Sequence, residues 1–88
     1  MAVGLHPHAI ERAAERGATP EETTATVETG ETFPAKHGRT GFRRNFPGPW
    51  TWRDREFDTK QVEVYAAEQD GDWLVITVIV RFIGRRAT

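Results

Sequence analysis

The chain has no cysteine and no serine, and only one methionine and one tyrosine among its 88 residues. Without cysteine there is no disulfide, no thiolate metal site and no cysteine nucleophile. Without serine a Ser–His–Asp triad cannot be assembled. Long apolar runs are also missing. The longest, WLVITVIV, is eight residues, far short of the ~20 needed to span a bilayer as a helix. Rich in β-branched residues, it reads as a buried strand. The opening MAVGLHPH lacks a basic region followed by an apolar stretch, so it does not read as a signal peptide and a cytoplasmic location is expected. The absence of cysteine suits that compartment. No glycine-rich phosphate loop is present, because GRTG and FPGP have neither the spacing nor a following helix. The histidines, His6, His8 and His37, have no acidic cluster at ligand spacing, so neither a metal nor a cofactor is expected.

What is present is ordinary in amount and uneven in placement. Apolar residues make up 38% of the chain and charged residues 28%, a composition that points to one globular domain over 1–88. The net charge of −1 speaks against a strongly basic nucleic-acid binder. Residues 1–35 nevertheless carry two arginines and six glutamates, net −4, whereas residues 36–60 reach +4. The acidic first segment and the basic middle either pair internally or leave a basic surface for an anionic partner.

The first helix is expected over about 7–17. Pro7 suits its first turn, Ile10, Ala13 and Ala14 give apolar spacing, and Gly17 stops it. The TPEE that follows is a capping box, with Thr19 as N-cap, Pro20 first in the helix and Glu22 reaching back. It begins a second helix over about 20–29, rich in threonine and dependent on packing of Ala25 and Val27. Strands are expected at about 31–36 and 39–46 around a His37-Gly38 turn, and at about 60–68 and 73–82 around Gln69–Asp72. The Pro- and Trp-rich segment 47–59 reads as a long loop, since Pro47 and Pro49 cannot sit in a paired central strand. In the third strand Val62, Val64 and Ala66 should face one way, and Gln61, Glu63 and Tyr65 the other. The fourth should set Leu74, Ile76, Val78, Val80 and Phe82 against Trp73, Val75, Thr77, Ile79 and Arg81. The expected architecture is α+β, with two helices on a twisted, mainly antiparallel four-stranded sheet.

Three features could carry chemistry. His8, Arg12 and Arg16 recur every four residues and make a sloping stripe on the first helix. Arg12 and Arg16 either lie across the sheet, bonded to carbonyls or to Glu63, or bind phosphate while His8 moves protons. Arg39, Arg43 and Arg44, interleaved with Phe42 and Phe46, suit single-stranded nucleic acid or describe a solvated strand. Tyr65 is either a proton donor or stacking platform, or an amphipathic sheet residue with a wet hydroxyl.

The pattern H-A-x-x-R-x-x-x-R-G, here His8-Ala9, Arg12 and Arg16-Gly17, resembles a family of small bacterial, archaeal and phage domains, the domain-of-unknown-function family numbered 4258. The KQVEVYA and VITVIV strands look like the same family's sheet. The helix–helix–sheet order is in turn similar to the RelE and BrnT toxins, ribonucleases that cut messenger RNA without metal and are neutralised by antitoxins. That resemblance implies RNA as a partner, an antitoxin-like protein as another, and attack of a ribose 2′-OH on the adjacent phosphate. His8, Arg12, Arg43 and Tyr65 would then be catalytic, with Arg16, Arg39, Arg44 and Lys60 binding the nucleic acid. The alternative is a non-catalytic protein-interaction module with structural arginines, binding a partner through an exposed strand edge.

Overall fold

The computed structural model describes residues 2–85. The chain runs through β1 (Val3–Leu5), α1 (Pro7–Arg16), α2 (Pro20–Thr29), β2 (Glu31–Pro34), a 3-10 turn (Lys36–Gly38), β3 (Thr40–Trp52), β4 (Arg55–Gln69) and β5 (Asp72–Arg85). The fold is α+β, with the strands in the order β1-β5-β4-β3-β2. β1 pairs parallel with β5, and the other pairings are antiparallel. No helix among the described residues is long and apolar enough to cross a membrane.

The helices start and stop on local signals. The Nδ1 atom of His6 accepts the His8 N–H at 3.1 Å and caps α1. Gly17 closes that helix at φ 96°, in the left-handed region that glycine adopts without cost. In α2 the capping box is complete: Thr19 Oγ1 accepts the Glu22 N–H, and a Glu22 carboxylate oxygen accepts the Thr19 N–H. α2 presents Thr23, Thr26 and Val27 to the core. Ala25, expected to pack there, is only half-buried. Threonine is tolerated inside because its hydroxyl bonds back along the helix, Thr23 to the Thr19 carbonyl at 3.0 Å and Thr26 to the Glu22 carbonyl at 2.8 Å.

The core lies between the helices and one face of the sheet. Ala9, Ala13, Ala18 and Val27 meet Phe42, Val62, Val64, Ala66, Val75 and Val78. Small residues on α1 let the helix backbone approach β5 closely, and valines on the central strands fill the space. The face of β4 that carries Val62, Val64 and Ala66 is fully buried, as the alternation predicts.

Three expectations need correction. The sheet has five strands rather than four, because Val3–Leu5 adds alongside Trp73–Val75, a pairing too short to show as a pattern. Residues 47–59 do not form a loop. β3 and β4 continue as a paired hairpin closed by Arg53 and Asp54, both at positive φ, as a tight two-residue hairpin requires. Pro47 and Pro49 fit because β2 pairs with β3 only over Thr40–Arg43, so that among the described residues β3 is an edge strand here, and because the ladder skips between Pro47 and Trp50. This arm makes the molecule long, 48 × 23 × 21 Å. Finally, the alternation in β5 breaks. Tyr65 pairs with Thr77 but Ala66 with Val75, so Ile76 is an extra residue. Trp73 and Val75 thereby join Val78 on the core side.

Candidate nucleic-acid interface

The helices cover one face of the sheet, and the other face holds a charged and aromatic cluster centred on Glu63. Register places Arg43 of β3 opposite Glu63, and Glu63 opposite Ile79 of β5. Arg43 Nε donates to Glu63 Oε2 at 3.1 Å and Arg81 donates to the same oxygen at 3.0 Å. The Tyr65 hydroxyl donates to Glu63 Oε1. The Glu63 side chain is only 5% exposed, so these donors replace the water it has lost. Burial pushes its carboxyl pKa up, but the hydrogen bonds from Tyr65, Arg43 and Arg81 outweigh that and hold it below the ordinary value. The same hydrogen bond to Glu63, then burial, raises the Tyr65 hydroxyl.

β2 extends this cluster. Phe33 stands edge-on to Tyr65, with ring centroids 6.0 Å apart, and the Arg43 guanidinium lies 4.6 Å from the Phe33 centroid. The Phe33 ring also lies over Gly41, where any Cβ would collide with it. Beside these rings a depression of about 430 Å³ is lined by Phe33, Tyr65 and Thr77 and rimmed by Lys36, His37 and Arg39. Lys36 and His37 are exposed in the 3-10 turn, and His37 takes φ 61°.

The stripe on α1 lies elsewhere. His8, Arg12 and Arg16 line a second depression, of about 260 Å³, together with Ile76, Thr77 and Val78 of β5. Arg16 donates to the Val78 carbonyl at 2.6 Å, the carbonyl contact expected of a structural arginine, while Glu63 takes Arg43 and Arg81 instead. Arg12 and His8 are exposed.

The four candidate catalytic residues therefore fall into two groups. His8 and Arg12 sit on α1, and Arg43 and Tyr65 sit on the uncovered sheet face, already bonded to Glu63. The candidate nucleic-acid residues divide as well. Arg39 rims the depression beside Phe33. Arg44 is on the helix side, donating to Thr29 Oγ1 at 2.8 Å and stacked on Phe46. Lys60 is 5% exposed and bonded to Glu22, so it offers no ammonium to a phosphate. Phe33, Lys36, His37 and Arg81 were not singled out from the sequence. Arg81 shared a predicted face with Thr77 and Ile79, but its meeting with Glu63 depends on strand register.

Among the described residues no group of three or more His, Asp and Glu could hold a metal ion. Comparison of the chain with protein-family models, with curated proteins and with solved structures gives no match.

Proposed function

We propose that the protein binds single-stranded RNA on the uncovered sheet face, as a small α+β domain of RelE-like architecture. The observation that carries this reading is the depression beside Phe33 and Tyr65, with Lys36, His37 and Arg39 on its rim. Aromatic rings accept unstacked bases, and cations at the edge meet the phosphates that follow. Phe33 and Tyr65 are set edge-to-face at 6.0 Å, so one base would contact one ring face and one ring edge. Arg43 and Arg81 place two guanidinium groups on the same face without depending on ligand for their position, because Glu63 holds both and Glu31 also pairs with Arg43.

Binding without cleavage fits the geometry better than a ribonuclease built on His8, Arg12, Arg43 and Tyr65, and the one imidazole on this depression is that of exposed His37. Attack of a 2′-OH needs a group free to accept its proton beside cations that stabilise the phosphorane. Glu63 has both oxygens engaged by Tyr65, Arg43 and Arg81, and the raised Tyr65 hydroxyl stays protonated. His8 and Arg12 are in the other depression.

The test is fluorescence anisotropy with a labelled oligouridylate at a series of salt concentrations. Affinity should fall steeply with salt, and Phe33→Ala and Arg39→Ala should each weaken it about tenfold or more. Absence of binding at low salt would overturn the reading. Cleavage of the oligonucleotide in chelator by the wild-type protein, lost in His8→Ala, would restore the ribonuclease.

A further inference from the structure

β1 covers the outer edge of β5 for three residues only, pairing Val3 with Trp73, Gly4 with Leu74 and Leu5 with Val75. The chain then turns at His6-Pro7 into α1, and proline at the first helical position ends any strand there. Among the described residues, no strand pairs with β5 on that side beyond Val75. We propose that this vacant edge, from Val78 towards Phe82, receives an extended acidic segment of a partner protein, added as a strand in line with β1.

The backbone direction supports this. The Trp73 N–H bonds to the Ala2 carbonyl at 2.9 Å, so the backbone groups of Trp73 face the β1 edge. Alternation carries that direction to Val75, and the extra residue Ile76 transfers it to Val78, Val80 and Phe82. The Val78 carbonyl confirms the direction, because Arg16 reaches it from outside the sheet at 2.6 Å. Arg16 thus shields one acceptor of a strand edge, a common way of restraining unwanted pairing. The N–H and C=O groups of Val80 and Phe82 offer an added strand its ladder.

Charge chooses the occupant. His8, Arg12 and Arg16 line the start of this edge, and Arg85 stands exposed further along the strand, whereas Arg81 is held by Glu63. Glu11 and Glu15 are on α1 as well, but they do not line the depression. Two copies of the chain paired antiparallel about Arg81 would set arginine against arginine and bring both stripes to one seam, which like-charge repulsion opposes. An acidic segment meets the stripe with opposite charge. Ile83, 45% exposed, gives the other face of an added strand an apolar contact. The segment should therefore alternate acidic with apolar residues.

The probe is a capped eight-residue peptide alternating glutamate and valine, titrated into the labelled protein and followed by amide NMR and hydrogen exchange. Binding should shift and protect the Val80 and Phe82 amides. Arg12→Glu, at an exposed position, should weaken it tenfold or more, and Phe33→Ala, in the proposed RNA site, should leave it unchanged. A lysine-for-glutamate peptide should not bind. A peptide N-methylated at alternate residues should lose the protection, since strand addition needs its N–H groups. The proposal is overturned by no shift at about 1 mM peptide, or by equal binding of the N-methylated peptide. It is equally overturned by oligouridylate shifting these amides in the peptide's place, or by dimerisation that protects them without peptide.

Discussion

Lys60 Nζ lies 3.0 Å from both carboxylate oxygens of Glu22 and 3.9 Å from the centroid of the Trp50 ring. Glu22 is also the residue that completes the α2 capping box. One carboxylate thus ties the start of α2 to β4 and to the base of the hairpin arm. Glu22→Gln leaves an ammonium largely buried without its counter-charge and should cost about 3 kcal/mol in urea unfolding. Lys60→Met, which keeps an apolar stem beneath Trp50, should cost clearly less. Single losses that simply add in the double variant would show that the pair is not what the arm rests on.

Gly17 should be far less replaceable than Gly38, although both have positive φ. A Cβ at Gly17 would approach Phe82 Cζ and Trp52 Cζ3 at 3.0 Å, whereas a Cβ at Gly38 meets nothing within 4 Å. Gly38→Ala should cost roughly 1 kcal/mol from backbone strain alone. Gly17→Ala adds displacement of the stacked Trp52 and Phe82 rings, which stand 5.2 Å apart. Thermal unfolding should rank Gly17→Ala well below Gly38→Ala, with a change in tryptophan fluorescence only in the former.

Tyr65 is the only tyrosine, so tyrosinate absorbance reports on it alone. Its hydroxyl is raised chiefly by the bond to Glu63 and should ionise above the ordinary value of about 10. Glu63→Gln should bring that transition down. Stability follows the same signs. The raised Tyr65 contributes fully below about pH 10 and loses its contribution as pH rises through the folded value. The lowered Glu63 contributes fully above about pH 4.5 and loses its contribution as pH falls through its folded value. An unchanged Tyr65 titration in Glu63→Gln would rule out this coupling.

Gly41→Ala tests the proposed RNA face without removing a ring or a charge. The new methyl group must push Phe33 away from its place over Gly41. RNA affinity should then fall about tenfold, close to the effect of Phe33→Ala. Full affinity in Gly41→Ala would mean that the Phe33 ring does not stack on a base.

Legibility in the sequence tracked distance along the chain. TPEE announced α2 because the capping box is made by residues three apart, Thr19 and Glu22. The β4–β5 hairpin was visible because valines alternate on either side of a glycine turn. The arm was not visible. Pro47 and Pro49 look like strand breakers, and they are compatible with pairing because β2 has ended and the ladder skips between Pro47 and Trp50. Arg43 and Tyr65 were visible as site candidates from residue type, but their shared partner was not. Lys60 looked like a surface cation until α2 was laid over it.

The amino-acid sequence by itself determined the two helices, their caps, the strand-rich second half and the buried face of β4, because each depends on neighbours within a few residues. Tertiary structure alone decided that Glu63 gathers Arg43, Arg81 and Tyr65, that Lys60 is buried against Glu22, and that β1 leaves β5 after Val75, beside the stripe of α1. Arg16 and Val78 are 62 residues apart in the chain. Such contacts follow from register, a bulge of one residue and the point where β1 gives way to α1. A single-residue slip exchanges the two faces of a strand, and no local pattern in this chain specifies which slip occurs.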